Sequence, residues 1–261
     1  MKDVLTVARE AALKAGGILR DNIHGIREIN YKGDINLVTE MDVKSERAVV
    51  ETLLAAFPGH GILAEEGTQI RNDSGFAWII DPLDGTTNYA HGYPCFSVSI
   101  ALEHDGELVL GVVYDPMRDE LFTAQKGQGA FLNGKQLRVS GVDTLIKSLL
   151  ATGFPYDRKV HEDNNLDYFR DLLMASQEVR RDGSAALDLC YVASGRFDGF
   201  WELKLKPWDV AAGSLIVREA GGVVSDLSGG KGSIHDSEIL ASNGKVHQQM
   251  IEVLRKTKVA G

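Results

Sequence analysis

The sequence has little of what several common classes of protein require. Its 261 residues include only two cysteines, Cys95 and Cys190, which lie far apart and outside any CxxC motif. Two isolated cysteines make no disulfide framework, so we expect two buried free thiols and a reducing cytoplasmic location. The seven histidines are scattered and form no H-E-x-x-H motif, which disfavours a zinc site. The glycine-rich stretch Gly229–Ser233 lacks the spacing of a phosphate-binding P-loop.

Positive charge and long apolar runs are scarce as well. The formal net charge is −9, so the chain as a whole does not attract nucleic acid or an anionic membrane. No apolar run approaches the length of a membrane span. The N-terminal residues carry charges within their apolar pattern, which is unlike a signal peptide. A chain this acidic needs a local source of positive charge if it handles an anionic substrate.

The first half of the chain predicts two helices followed by a meander. Residues 4–19 and 39–57 place apolar side chains at helical spacing, and residues 77–80 predict a short buried strand. From 96 to 132, apolar residues alternate with small or polar ones between turn signals, which predicts an antiparallel meander.

Beyond about residue 140, predicted strands and helices alternate instead. Strands are expected at 148–153, 197–203, 223–226 and 238–241, and helices at 164–176, 184–194, 209–220 and the C terminus. We therefore expect an α+β sub-domain at residues 1–138 and an α/β sub-domain at residues 139–261.

Two carboxylates stand three residues apart where a predicted strand ends, in Trp78–Tyr89 (WIIDPLDGTTNY). Asp81 and Asp84 repel each other, and burial strengthens that repulsion. A shared Mg²⁺ would relieve it, since this ion takes carboxylate and carbonyl oxygens. The Gly-Thr-Thr that follows would open a helix or tight turn whose N–H groups suit a phosphate oxygen. On the pentapeptide Asp81–Gly85 (DPLDG) alone, an ordinary surface turn is the simpler interpretation.

Further acids stand in contexts of their own. Glu65 and Glu66 follow an apolar stretch, Asp209 begins a predicted helix that is apolar almost all round, and Asp42 lies in the first turn of another helix. A helix cap explains Asp209 by itself, and the helix dipole explains Asp42. Each acid is individually unremarkable in its setting, but together they strengthen the metal hypothesis.

Several motifs resemble those of the inositol monophosphatase family. Asp81–Asn88 (DPLDGTTN) matches the family's first signature, and Trp208–Ser214 (WDVAAGS) with Glu219–Gly222 (EAGG) matches its second. Glu65-Glu66 and the stretch 34–42 (DINLVTEMD) match two further motifs, and the similarity runs from end to end. The resemblance implies a layered αβαβα sugar-phosphatase architecture, with an antiparallel N-terminal sheet and a mixed C-terminal sheet. It also implies a Mg²⁺-dependent, lithium-sensitive phosphomonoesterase that forms a homodimer.

The resemblance assigns metal ligands residue by residue. It implies that Glu65, Asp81 and the carbonyl of Leu83 hold a first Mg²⁺, and that Asp81, Asp84 and Asp209 hold a second. Glu65 also belongs to the implied catalytic group and would assist a weaker third ion.

The remaining implied roles concern water, phosphate and substrate. Thr86, oriented by Asp42, would position the attacking water, and the N–H groups of Gly85 and Thr86 would receive phosphate oxygens. Ala185 and Glu202 lie where the family contacts substrate hydroxyls. Lys32 is expected near the metal-phosphate cluster.

Three functions remain open at this point. The first is hydrolysis of inositol monophosphate, which Glu202 favours because its carboxylate accepts hydrogen bonds from ring hydroxyls. The second keeps the chemistry but changes the substrate to fructose 1,6-bisphosphate, histidinol phosphate or a 3′-phosphonucleotide. The third is a protein-binding regulator associated with the transcription machinery, a role known among bacterial relatives. No membrane association and no direct nucleic-acid binding are expected.

Overall fold

The computed structural model describes residues 3–25, 29–31 and 37–260, which form helices alternating with short strands. The helices are α1 (Val4–Asn22), α2 (Glu40–Ala56), α3 (Thr86–Ala90), α4 (Leu166–Ala175), α5 (Ala185–Ala193), α6 (Pro207–Glu219) and α7 (His247–Ala260). The strands are β1 (Ile29–Tyr31), β2 (Leu37–Thr39), β3 (Gly61–Ala64), β4 (Gln69–Ile70), β5 (Phe76–Asp84), β6 (Ser97–His104), β7 (Glu107–Asp115), β8 (Glu120–Gln125), β9 (Gly129–Leu132), β10 (Lys135–Gln136), β11 (Leu149–Thr152), β12 (Glu178–Arg180), β13 (Gly199–Leu203), β14 (Val223–Ser225) and β15 (Glu238–Ser242). None of the described helices is both long enough and apolar enough to cross a membrane.

Two large sheets organise these strands. The first has the order β10-β9-β8-β7-β6-β5-β3-β4 and is antiparallel except where β3 and β5 run parallel. That pair arises because the chain leaves the edge strand β4 and returns on the other side of β3. The second sheet has the order β12-β11-β13-β15-β14, with β11 parallel to both of its neighbours. Both sheets are therefore mixed, which confirms the expected mixed C-terminal sheet and corrects the expected antiparallel N-terminal sheet at its β3–β5 pair.

The helices form layers on both sides of the sheets. Helices α1 and α2 pack on the outer face of the first sheet, around a core that includes Leu19, Leu53 and Trp78. Helices α5 and α6 lie between the two sheets, and α4 and α7 cover the outer face of the second around Leu172 and Leu254. The result is the predicted αβαβα layering.

The central layer is thin because its helices are built from small residues. In α6, Ala211, Ala212 and Gly213 are buried, and a Cβ added to Gly111 of β7 would lie 2.7 Å from the Ala212 carbonyl oxygen. This close approach lets α6 bury apolar residues on both sides, which is why its sequence is apolar almost all round. Its first turn is thereby fixed at the end of the sheet.

Strand period decides which side chains of β5 face this central layer. Successive residues of a strand point to opposite faces. Trp78 and Ile80 accordingly join the core beneath α1 and α2, whereas Ile79 faces the central helices. Asp81, two residues after Ile79, continues on the central face at the end of the apolar run. The predicted strand at 77–80 is thus longer than expected and carries Asp81 and Asp84 within it.

The predicted helices match the structure to within a few residues at each end. The predicted thiols are also as expected, since Cys95 and Cys190 are free and buried. The short strands β3, β4 and β12 were not predicted. The chain passes from the first sheet to the second between Gln136 and Leu149, and the division into sub-domains at residue 138 stays a prediction.

Candidate active site

A cavity of about 820 Å³ opens at the end of β5, beside the first turns of α5 and α6. Its lining is strongly acidic. The carboxylic side chains in the lining are Glu65, Asp81, Asp84, Asp157, Asp188, Glu202, Asp209 and Asp236, and the arginine and lysine side chains are Arg181, Lys204 and Lys206. The structure thus brings the four acids predicted from separate segments, at positions 65, 81, 84 and 209, into one cavity.

Asp81 is almost completely buried at the floor of this cavity, with 2% of its surface exposed. Its Oδ1 accepts a hydrogen bond from the Leu83 N–H at 2.9 Å. Burial raises the pKa of Asp81 well above its ordinary value, and the charges of Glu65, Asp84 and Asp209 raise it further. Neighbouring negative charges therefore meet at this carboxyl group.

Asp84 connects the first sheet to the central helix α5. Its Oδ2 accepts hydrogen bonds from the Ser184 hydroxyl at 2.6 Å and from the Ala186 N–H at 2.8 Å. The carboxylate thus caps the amino end of α5, where the helix dipole favours negative charge. Burial raises the pKa of Asp84 to about 6, although these hydrogen bonds oppose the change.

The turn after Asp84 is shaped by Gly85. This residue has φ of +100°, and a Cβ there would lie 3.0 Å from the Cys95 carbonyl oxygen and 3.2 Å from that of Gly183. The left-handed conformation and the crowding both require glycine. Gly85 begins the short helix α3, and both Gly85 and Thr86 line the cavity.

Thr86 and Asp42 meet across 44 residues of sequence. The Thr86 Oγ1 lies 3.1 Å from Asp42 Oδ1 and 3.1 Å from the Leu83 carbonyl oxygen, and both are acceptors for its single proton. Asp42 is fully buried in the first turn of α2. A hydroxyl group that donates to a buried carboxylate keeps its lone pairs for a further partner in the cavity.

Asp209 comes from the second half of the chain. It lies in the first turn of α6, and its Oδ2 accepts a hydrogen bond from the Lys206 N–H at 2.7 Å. Burial raises the pKa of Asp209 to about 8, and the nearby charge of Asp84 contributes. The capping role expected from sequence and the position in the cavity therefore coexist in one side chain.

Ala185 and Glu202 also line the cavity. Glu202 is 9% exposed at the end of β13, and burial raises its pKa to about 8. A Cβ added to Gly153 would collide with the Glu202 carboxylate, so glycine is needed beside it. Ala185 lies in the first turn of α5 and also lines the cavity.

Other site residues were missed or lie outside the described part of the chain. Asp188 and Tyr156 line the cavity but were not predicted. Asp188 is the single charged residue of α5 (AALDLCYVA), which was an available signal. Lys32, which was expected near the metal-phosphate cluster, lies outside the described residues, and so does Asp34 of the motif at 34–42.

The donor set of the cavity fits a hard divalent cation. One oxygen each of Asp81, Asp84 and Asp209 is fixed by protein hydrogen bonds, and the Leu83 carbonyl lies in the same turn. No cysteine lines the cavity. Within the described residues, no group of three or more His, Cys, Asp or Glu side chains is arranged to hold a metal ion by itself. Mg²⁺ suits such an open set, because it usually combines one or two carboxylates with water and substrate phosphate.

The layered fold and a cavity lined by carboxylate oxygens are what is expected of the class of metal-dependent phosphatases. Comparison with known proteins places the chain within that class. The model of the inositol monophosphatase family matches residues 1–258, and the chain belongs to this family, whose members are in general metal-dependent phosphatases acting on small phosphate esters.

Similar proteins span nearly the whole chain. An inositol-1-monophosphatase of Mesorhizobium japonicum is 43% identical over 256 residues, which are 97% of this chain and 96% of the relative. The Nus factor SuhB of Salmonella typhimurium is 45% identical over 258 residues, covering 98% and 97% of the two chains. The structure of inositol monophosphatase from Anabaena has a TM-score of 0.89 and 45% identity, covering 97% of this chain and 95% of that one.

Proposed function

We propose that this chain is a Mg²⁺-dependent phosphomonoesterase that hydrolyses inositol monophosphate or a similar polyol phosphate. The observation that carries the proposal is the convergence of Glu65, Asp81, Asp84 and Asp209 on one cavity, beside the Thr86–Asp42 hydrogen bond. Two bound Mg²⁺ ions would supply an activated water and would neutralise charge on the phosphoryl and leaving oxygens. Family membership supports the phosphatase class, and the acidic cavity supports the requirement for cations.

The proposed ligands are held in place before any ion binds. Leu83 N–H fixes Asp81, Ser184 and Ala186 fix Asp84, and Lys206 N–H fixes Asp209. Fixed carboxylates need little reorganisation when charge develops, which is the basis of electrostatic catalysis. Glu65, Asp81 and the Leu83 carbonyl are proposed for one ion, and Asp81, Asp84 and Asp209 for another.

Thr86 and Asp42 are proposed to position the attacking water. Because the Thr86 hydroxyl donates to a buried acceptor, its oxygen is free to accept a hydrogen bond from water in the cavity. The N–H groups of Gly85 and Thr86 are proposed to receive phosphate oxygens. Loss of the Thr86 hydroxyl should therefore impair turnover without reducing the affinity for Mg²⁺.

Glu202 supports a polyol substrate. It is an almost buried carboxyl group in the lining of the cavity, where it can bind hydroxyl groups. A second phosphate at this point would be repelled by the acidic lining. Fructose 1,6-bisphosphate and 3′-phosphonucleotides are accordingly the weaker candidates.

The test is phosphate release over a panel of esters with and without Mg²⁺. The panel contains inositol monophosphate, fructose 1,6-bisphosphate, histidinol phosphate and a 3′-phosphonucleotide. We expect Mg²⁺-dependent release, fastest with inositol monophosphate, and its loss in Asp84→Asn. Asp21→Asn, an exposed acid in the last turn of α1, is the matched control and should keep full activity. Turnover by Asp84→Asn equal to that of the unmutated chain would refute the site.

A second function is favoured by the names of several relatives. Nus factor SuhB proteins of Salmonella, Pseudomonas and Vibrio are 42–45% identical over nearly their whole length. We propose a transcription-associated protein interaction as the alternative. A homodimer, lithium sensitivity and a cytoplasmic location are implied by the family resemblance and are proposed separately from this alternative. In cells lacking this protein, restoration of the wild-type phenotype by the Asp84→Asn variant would favour the interaction. Failure of the variant to restore it would favour catalysis.

A further inference from the structure

Asp188 is a buried carboxyl group in the cavity with no internal partner for one of its oxygens. Its residue is 1% exposed, and Oδ1 has no hydrogen-bond partner among the described residues. Five other buried side-chain atoms in that part of the chain share this property, but none of their residues lines the cavity. Since buried polar atoms are nearly always hydrogen-bonded, an orphan carboxylate oxygen at a cavity indicates a missing partner.

The local fold directs this carboxyl group toward the cavity. Asp188 lies three residues after Ala185 in α5, so the two side chains share one face of the helix. Helical side chains lean toward the amino end, which carries the Asp188 carboxyl toward Ala185. Ala185 and Asp188 both line the cavity, and the small Ala185 side chain brings no polar group between them.

The surroundings of Asp188 restrict what its partner can be. Burial raises the pKa of Asp188 well above its ordinary value, and the charges of Asp182, Glu202 and Asp84 raise it further. An anionic partner would add to this repulsion. The partner must therefore bring a hydrogen-bond donor without negative charge, and a hydroxyl group of the substrate meets both conditions.

Glu202, which lies near Asp188, restricts the partner further. It lies close enough for its charge to act on Asp188, and Gly153 leaves room for its carboxyl group. Two buried carboxyl groups on one wall can each bind a different hydroxyl group of a single alcohol. An ester with only one hydroxyl, or none, would leave one of them without a partner.

We propose that Asp188 is a substrate-binding residue that, together with Glu202, selects phosphate esters whose alcohol carries at least two further hydroxyl groups. The proposal rests on the phosphomonoesterase function proposed above. It assigns Asp188 a role in specificity and none in metal binding. The substrate class it defines is the polyol monophosphates, distinct from alkyl or aryl phosphates.

Two esters of the same carbon skeleton test the proposal. Glycerol 2-phosphate carries two hydroxyl groups that isopropyl phosphate lacks. We expect the unmutated chain to prefer glycerol 2-phosphate in kcat/KM, and Asp188→Ala to reduce this preference about tenfold, because a site built for a hydroxyl group rejects the analogue without it. Hydrolysis of isopropyl phosphate should stay within about twofold, since that ester does not use the carboxyl.

Conservative variants separate binding from folding. Asp188→Asn keeps the shape and one acceptor oxygen, and we expect it to retain part of the preference. If Asp188→Ala does not fold, a reduction of the preference in Asp188→Asn decides the matter. Asp182→Asn is the matched control, since Asp182 is a partly buried acid near α5 that does not line the cavity. It should leave the preference unchanged.

Four outcomes would overturn the inference. The first is an unchanged preference for glycerol 2-phosphate in Asp188→Ala, or in Asp188→Asn if the alanine variant does not fold. The second is an equal loss of kcat/KM with both esters. The third is a shift in the Mg²⁺ concentration for half-maximal hydrolysis of isopropyl phosphate, which would indicate a role in metal binding. In these three cases the proposed phosphatase function stands. The fourth is hydrolysis of neither ester with Mg²⁺: if inositol monophosphate is still hydrolysed, this inference alone fails, and if it is not, the proposed function fails as well.

Discussion

Buried acids occur in two kinds of place in this molecule, and they are treated in opposite ways. Asp115, at the end of β7, is fully buried and well satisfied. Its Oδ1 accepts hydrogen bonds from the N–H groups of Met117 and Arg118 at 2.9 and 3.0 Å, and its Oδ2 accepts one from the Arg118 guanidinium at 2.8 Å. This acid organises the turn between β7 and β8.

Glu46 shows the same treatment on the outer layer. One carboxylate oxygen accepts from the Glu66 N–H at 2.7 Å, and the other accepts from the N–H and hydroxyl of Thr68 at 3.2 and 2.6 Å. The hydrogen bonds join α2 to the turn between β3 and β4. Glu46 therefore fixes the segment that carries Glu65.

Three acids of the cavity receive less of this compensation, since Asp81 and Asp209 each accept one hydrogen bond from the protein and Asp188 Oδ1 accepts none. Asp81, Asp209 and Asp188 lie among other carboxylates, and their pKa values are raised by burial and by one another. Asp115 and Glu46 receive several protein donors, whereas these three acids keep an oxygen for a ligand. The difference teaches that burial alone does not identify a functional acid, and that the hydrogen bonds each carboxyl group receives must be counted as well.

The largest effect is expected for Asp209→Asn. Asparagine keeps the shape and can still accept from the Lys206 N–H, but it loses the negative charge proposed for metal binding. We expect activity with inositol monophosphate to fall by a factor on the order of 10³, with thermal stability equal or higher. An exposed acid at the start of α4 supplies the control, Asp167→Asn. A large loss of stability in Asp209→Asn would show that this acid belongs with the structural group.

The next effect is expected for Asp115→Ala, which tests the other side of the comparison. Loss of the carboxylate leaves the N–H groups of Met117 and Arg118 without partners, so we expect about 3 kcal/mol of destabilisation. Activity per folded molecule should not change, because Asp115 does not line the cavity. Denaturant unfolding and active-site titration measure the two quantities separately. Reduced turnover at unchanged stability would contradict the assignment.

Added Mg²⁺ should relieve the repulsion in the cavity. At a hundredfold excess over its Kd, an ion that binds only the folded state stabilises by about 2.7 kcal/mol. We expect Tm to rise with Mg²⁺ and to fall when EDTA removes it. Asp209→Asn should respond less, whereas Asp115→Ala should respond like the unmutated chain. The same response in all three proteins would place the ion elsewhere.

The smallest effect concerns His247, a buried base. Its Nε2 lies 2.9 Å from the Ser225 hydroxyl and its Nδ1 lies 2.9 Å from the Ser242 hydroxyl. Burial lowers the pKa of His247, so its contribution to stability is complete above the unfolded pKa of about 6.5 and is lost as pH falls below it. His247→Gln should lower stability at neutral pH and flatten its decline below pH 6.5. An equally steep decline would assign that proton to another group.

Much of the fold follows from periodic patterns in the sequence. Helix α1 and the meander from β6 to β9 have clear helical or alternating spacing, and the predicted layers were correct. The strands β3 and β12, which are four and three residues long, were missed. Strand β5 runs past Pro82, where proline would ordinarily end a strand.

The site follows from sequence less completely. The acids at 65, 81, 84 and 209 were identified by motif resemblance, since no period relates such distant segments. The cap that Asp84 provides for α5 spans 100 residues and depends on how the layers pack. Asp188 was overlooked because one acid within an apolar helix does not reveal whether its carboxyl finds a partner.

The hydrogen bond that the Ser184 hydroxyl donates to Asp84 affects how the whole molecule responds to a ligand in the cavity. Strand β5 ends in Asp84, whose carboxylate accepts hydrogen bonds at the amino end of α5, the helix between the two sheets. Any ligand that binds Asp84 should therefore also strengthen the contact between the sheets. Binding of a ligand in the cavity and packing of the two sheets against each other are then energetically coupled. Protease cleavage of the segment that connects the sheets, at 137–148, should accordingly become slower when a ligand binds in the cavity. The rate of cleavage there would then report ligand binding at a distant site.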